Sequence, residues 1–199
     1  MSEWEEVLDF WFGPIDESGS AAPEKSKRWF GGGPDFDAEV RARFEPAWHA
    51  IAAGEKDDWL DTPRGKLAAI IVLDQLSRNM FRDMAKMYAA DDRAIALALG
   101  AIERGDDRTL PLAMRTFLYM PLMHAEDVEL QDRCVALFES LRDELEGDRR
   151  ERIAGHVEYA RRHRDVVARF GRFPHRNAIL GRETTPEEAA FLAEKPTGF

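Results

Sequence analysis

Apolar residues recur along the chain at intervals of three and four, and no run of four or more positions between turn signals alternates with period two. The chain therefore reads as all-α. Ser2 with Glu5 forms a capping box ahead of Trp4, Val7, Leu8, Trp11 and Phe12, and Gly13-Pro14 stops that helix. A loop is expected over 15–23. After Gly31-Gly32-Gly33-Pro34, the stripe Phe36, Val40, Phe44, Trp48 and Ile51 predicts a helix that kinks at Pro46 and ends at Gly54. Thr62-Pro63 supplies a cap and an N1 proline for a helix whose residues 67–73 are apolar all round, so this helix should be central and buried. Further helices are predicted over 87–104, closed by Gly105, over 112–145, interrupted at Pro121, and over 150–170. Thr185-Pro186-Glu187-Glu188 opens a short last helix. Helices of these lengths on short connections pack most simply as successive antiparallel pairs.

With 199 residues, 44% of them hydrophobic, the chain is expected to form a single helical domain over 1–199, one that buries roughly 70% of its unfolded surface. The longest apolar run, 94–102, is nine residues, against roughly 20 for a membrane span. Glu3, Glu5, Glu6 and Asp9 stand where a secretory signal needs a basic start. The single cysteine, Cys134, forms neither an internal disulfide nor a Cys-x-x-Cys pair, and it lies near an apolar helix face as a core residue rather than a nucleophile. These features predict a cytoplasmic protein. A net charge of −10 opposes attraction to nucleic acid or anionic lipid, so no nucleic-acid or membrane partner is expected.

That average conceals a reversal. Between Arg161 and Arg182 stand seven arginines, no lysine and one acid, so this stretch carries +6 and the remainder −16. Arginine's planar fork matches carboxylates and phosphates bidentately, which points to geometry rather than solubility. For Arg161, Arg162 and Arg164 the plainer reading is pairing with acids elsewhere on the surface.

Polar side chains that fall on apolar stripes are the informative positions, because burying each unpaired costs roughly 1–3 kcal/mol. Asp74, Gln75 and Arg78 lie at the end of the all-apolar helix, with Asp74 and Arg78 at pairing distance and Asn79 as a C-terminal cap. Around Pro121, the face defined by Phe117, Met120, Val128, Val135 and Phe138 also carries His124, Asp127 and Gln131. Glu126 points away if that helix is continuous and turns inward if it restarts. In the next helix His156 and His163 lie on the stripe of Tyr159, Val166, Val167 and Phe170. Gly171 and Pro174 then end the helix, leaving Arg172, His175, Arg176 and Asn177 on a loop between aromatic anchors, with Arg182 close behind. These groups either satisfy one another in separate networks or converge on one pocket.

The segments Val7-Leu8-Asp9-Phe10-Trp11-Phe12-Gly13, Leu73-Asp74-Gln75-Leu76-Ser77-Arg78-Asn79, Met120-Pro121-Leu122-Met123-His124-Ala125-Glu126 and 170–177 together resemble the bacterial domain of unknown function 924 family, nearly end to end. Ser77 stands where many members have proline, and Ala125 where serine is usual. The resemblance implies an all-helical, tetratricopeptide-repeat-like, right-handed array of helix pairs, and implies no reaction.

Signatures of common cofactor chemistry are missing: there is no Walker loop, Gly-x-Ser-x-Gly elbow, His-Glu-x-x-His or dinucleotide fingerprint, so neither cofactor nor metal is expected. Three readings follow. In the first, Asp74, Gln75, Arg78, Asn79, His124, Gln131, His163, Arg172, His175, Arg176 and Asn177 line a pocket for a small anionic ligand or a chain-terminal carboxylate of a peptide. In the second, a hydrolase-like site, with or without a metal, uses His124, Glu126 or Asp127 as base or ligands while the arginines hold a leaving anion. In the third, the helices form a protein-interaction scaffold without a small ligand.

Overall fold

A computed structural model describes residues 2–29, 31–196 and 198 of the protein. Among these residues the chain forms helices and turns, with no strand, as the periodicity predicts. No helix among them is long and apolar enough to cross a membrane. The chain divides into two compact units, 1–121 and 122–199.

The first unit opens with α1 (Glu3–Phe12), where Glu5 accepts the Ser2 backbone N–H at 2.6 Å and Gly13, at φ 61°, ends the helix. A short α2 (Pro23–Ser26) follows the expected loop. The stripe Phe36, Val40, Phe44, Trp48 and Ile51 is buried in full on α3 (Gly33–Ala53), which runs through Pro46. Phe10 stacks on Phe36 at 5.7 Å and meets Phe44 edge-on at 4.9 Å, while Arg28 and Arg43 cover these rings. A second aromatic group joins Trp11, Phe12 and Trp29 around Phe117, and the Trp29 indole donates to the Trp11 carbonyl at 2.8 Å.

Next, Thr62 Oγ1 accepts the Gly65 N–H at 3.0 Å and starts α4 (Pro63–Ile70). Residues 67–73 are wholly buried, as predicted for a central helix. The expected regular helix, however, widens into a π-helical turn over Ile71–Leu76 before α5 (Ser77–Met80). Consecutive side chains 71–77 are all buried, Asp74 and Gln75 included. The next helix, α6 (Asp91–Glu103), starts later than predicted because Ala85–Tyr88 forms its own 3-10 turn, leaving Asp91 and Asp92 at the favourable N-terminus.

The predicted interruption of the 112–145 stretch falls just past Pro121: α7 (Leu112–Met123) runs through the proline to Met123 before the chain leaves the helix. Pro121 sits in its last turn, where only its own N–H bond is forgone. The chain restarts as α8 (Val128–Asp143), which pairs with α9 (Gly147–Phe170) across a short connection. Cys134, Phe138 and Leu141 of α8 and Ile153, Val157 and Ala160 of α9 are buried in this hairpin. Burial pushes the Cys134 thiol pKa far up, which suits a core residue. The His156 ring stacks on Phe138 at 5.5 Å. Two stripe positions prove exposed, Val128 at 43% and Tyr159 at 44%, Val128 because it directly follows the α8 cap. Arg161 pairs with Glu139 and Glu158, and Arg164 with Asp132 and Asp165, so these arginines serve the hairpin surface. Finally α10 (Pro186–Glu194) carries the predicted capping box, with Thr185 Oγ1 accepting the Glu188 N–H and Glu188 accepting the Thr185 N–H at 2.8 Å.

Candidate functional site

After α9, Gly171 adopts φ 68° and Pro174 starts a 3-10 turn, Pro174–Arg176, so the chain reverses around the wholly buried Phe173. Two carboxylates hold this reversal. Glu126, in the turn before α8, accepts the Phe173 N–H at 2.7 Å and both terminal nitrogens of Arg182 at 2.6 and 2.9 Å. Arg182 also donates to the Phe173 carbonyl and to Asn177 Oδ1, each at 3.0 Å. Glu188 accepts Arg172 Nε at 2.6 Å, Arg172 Nη2 at 2.8 Å and Asn177 Nδ2 at 3.2 Å. Asn177 thus ties the two clasps together.

Burial would raise the Glu126 pKa, but Arg182, the Phe173 N–H and the nearby Arg176 charge outweigh it and hold the carboxyl below its ordinary range. Arg172, followed by the Thr185 N–H, brings Glu188 down to about 2 against the effect of burial.

Inside these clasps lies Arg176, 7% exposed. Its Nη2 donates to the His124 carbonyl at 2.9 Å, and its guanidinium sits 4.5 Å from the centre of the Phe173 ring. Its charge reaches the imidazoles of His163 and His175. His163 is buried, its Nδ1 2.9 Å from the Tyr159 carbonyl, and its ring meets Tyr159 and Phe173 edge-on at 4.4 and 5.7 Å. His175 lies 5.6 Å from Phe173. Burial drives the His163 pKa down to about 3, opposed by the bond to Tyr159 and reinforced by His124, His175 and Arg176. Burial and then the Arg176 charge lower His175 to about 4. Both rings are therefore neutral at pH 7. Arg172 pairs with Glu188 and Arg182 with Glu126 on either side of the buried Arg176.

The second unit thus brings His124, Glu126, His163, Arg172, His175, Arg176 and Asn177 into one neighbourhood. Several details differ from the sequence reading. Arg172 and Arg176 are not displayed on an open loop: the first is clasped by Glu188, and the second is buried with its Nη2 on the His124 carbonyl. Asp127 is exposed and caps α8, accepting the Glu129 and Leu130 N–H groups at 2.9 and 3.0 Å. Gln131 is wholly buried and donates to the Met123 and Ala125 carbonyls, satisfying acceptors left over where α7 ends. Arg182 and Glu188 belong to the cluster although neither stood among the candidates. Arg182 was signalled by the arginine-only stretch, whereas Glu188 was accounted for as a helix cap.

Asp74, Gln75, Arg78 and Asn79 lie in the first unit and are bonded there. Arg78 pairs with Asp74 at 3.3 Å, as its spacing predicts, and with Asp91 at 3.1 Å, while Gln75 donates to Asp74 at 2.6 Å. Burial would lower the Arg78 pKa, but Asp74 and Asp91 raise it. Asn79 does not cap α5: its Nδ2 donates to Asp37 at 2.8 Å, beside the Arg82 pair with the same acid. The first unit also has an open cleft of ≈ 630 Å³ lined by Trp4, Glu5, Leu8, Asp9, Gly13, Ile15, Arg64 and Met114, none of them a predicted site residue. No group of three or more His, Cys, Asp or Glu among the described residues is arranged to hold a metal ion.

Fold and site define an all-helical protein with a histidine-lined arginine cluster clasped by carboxylates. The chain belongs to the family described as bacterial protein of unknown function (DUF924), whose model matches residues 7–196. It is similar to a solved protein of unknown function, ATU0120 from Agrobacterium tumefaciens, with 39% identity over 96% of this chain and 97% of the other and a TM-score of 0.79. No functionally curated protein matches.

Proposed function

We propose that the second unit binds a small carboxylate-type anion, or the terminal carboxylate of a peptide, at Arg176, with His175 and His124 beside it. The observation that carries this reading is the convergence in one neighbourhood of the buried Arg176, which donates to the His124 carbonyl and lies over the Phe173 ring, with the neutral imidazoles of His163 and His175. A guanidinium takes a carboxylate with two parallel hydrogen bonds, which is why a carboxylate is the ligand class proposed. Arg172 and Arg182 act as framework, since their forks already hold Glu188 and Glu126. The hydrolase-like alternative draws less support. Glu126 is an ion-paired carboxylate with a lowered pKa, a weak base, and Asp127 caps a helix.

Acetate titrated into the full chain and followed through the His175 imidazole resonances tests the proposal. Saturable shifts and a rise in the His175 pKa are expected, and Arg176→Gln should abolish both. Non-saturating shifts, or shifts unaltered by Arg176→Gln, overturn it. Thermal stabilisation should accompany binding, about 2.7 kcal/mol at a hundredfold excess over Kd.

A further inference from the structure

None of the residues lining the open cleft of the first unit belongs to the Arg176 cluster, and the cleft has a chemistry of its own. One wall is a single face of α1, on which Trp4, Glu5, Leu8 and Asp9 recur at helical spacing, and Arg64 reaches it from the first turn of α4. Its ≈ 630 Å³ falls within the range of small-molecule sites, about 300–1,000 Å³. Leu8 and Met114 are buried there and Trp4 and Ile15 half-buried, which gives the cleft an apolar lining. Of its acids, Glu5 belongs to the α1 cap and accepts the Ser2 N–H and hydroxyl at 2.6 and 3.0 Å. Asp9 has no such task. It is exposed in the last turn of α1, where the helix dipole disfavours an acid, and one turn from the like charge of Glu5. Arg64 is exposed too, and although both line the cleft, neither the Asp9 nor the Arg64 side chain makes a hydrogen bond or ion pair with another described residue. Their charges stand more than 4.0 Å apart.

We propose that this cleft binds an apolar zwitterion, a free α-amino acid with an apolar side chain or a dipeptide of such residues. The ammonium group lies against Asp9 and the Trp4 ring, the carboxylate on the Arg64 fork, and the side chain against Leu8, Ile15 and Met114. One molecule of no net charge then answers both open charges of the cleft, whereas a simple anion or a simple amine answers one. It also relieves the electrostatic cost that Asp9 imposes on α1. The site is separate from the carboxylate site proposed at Arg176 and does not depend on it.

Calorimetric titration of the full chain with L-leucine and with leucyl-leucine tests this. At least one should bind saturably: leucine binding shows that a free amino acid suffices, and binding of leucyl-leucine alone assigns the dipeptide. Against leucine, N-acetylleucine, isoamylamine and glycine remove the ammonium, the carboxylate and the side chain in turn. Against leucyl-leucine, its N-acetyl derivative, its amide and glycylglycine do the same. Each analogue should bind about fivefold or more weakly. Asp9→Asn and Arg64→Gln, both at exposed positions, should each weaken the zwitterion to the same extent, and Arg176→Gln should leave its affinity unchanged. Absence of saturable binding by both probes, an N-acetyl, carboxylate-free or glycine analogue that binds as well as its parent, or an affinity unaltered by Asp9→Asn or by Arg64→Gln overturns the proposal. Binding lost in Arg176→Gln but kept in Arg64→Gln places the carboxylate at the other site, so the cleft proposal fails and the Arg176 reading stands.

Discussion

Glu126→Gln is the substitution that most directly tests what holds the second unit's reversal in place. The carboxylate makes a bidentate pair with Arg182 and receives the Phe173 N–H, and the paired side chains are 25% and 22% exposed. Breaking a fully buried pair costs about 3–5 kcal/mol, and an exposed one contributes about 0–1 kcal/mol. Glutamine still accepts from Phe173, so the loss is the Coulombic attraction and one charge-assisted bond to Arg182. At roughly three-quarters burial this places the expected destabilisation near ~2–3 kcal/mol. For a chain of this length that lowers Tm by about 5–10 °C. Urea unfolding followed by far-ultraviolet circular dichroism measures it directly. With Arg182→Met, a double-mutant cycle isolates the pair, and a coupling of at least about 1.5 kcal/mol is expected. A coupling below about 0.5 kcal/mol would refute the reasoning, since the pair would then behave as an ordinary surface contact.

Gly65→Ala should destabilise although alanine is the better helix former, because its Cβ would overlap the Trp59 carbonyl oxygen and stand 3.0 Å from Thr62 Oγ1. A loss of about 1–3 kcal/mol in urea unfolding is expected, and a gain would show that the Trp59 turn yields freely. Acid should weaken the protein earlier than its carboxylates alone require. His175 and His163 are lowered to about 4 and about 3 when folded, so below the unfolded pKa of about 6.5 the unfolded chain binds more protons. Their contribution is complete above about pH 6.5 and falls away towards pH 4 and then 3, with a slope of up to about 1.4 kcal/mol per pH unit for each ring. His175→Asn should flatten the stability profile between about pH 6.5 and 4, and a profile parallel to that of the parent would contradict the assignment.

Much of the helical plan was legible because its signals are local. The Ser2–Glu5 and Thr185–Glu188 boxes, the Thr62-Pro63 cap and the stripe from Phe36 to Ile51 all report on neighbours within one or two turns, and each is present in the structure. The π-helical turn at Ile71–Leu76 was not legible, because a segment apolar on every side looks the same at either periodicity. Pro121 marked the break between α7 and α8 only to within a few residues, because a proline is tolerated in a helix's last turn. In the cluster, the composition of 170–177 announced unusual chemistry. The partners of its arginines did not follow from composition, since Glu126 and Glu188 lie far away along the chain or carry a helix-capping signal of their own.

All five tryptophans stand at or before residue 59, in the first unit, and Tyr159 is the one tryptophan or tyrosine of the second. Indole fluorescence excited at the red edge of its band consequently reports on residues 1–121 and is blind to 122–199, without any label. Comparing its transition with helix loss over the whole chain would show whether the two halves melt as one cooperative body or in succession.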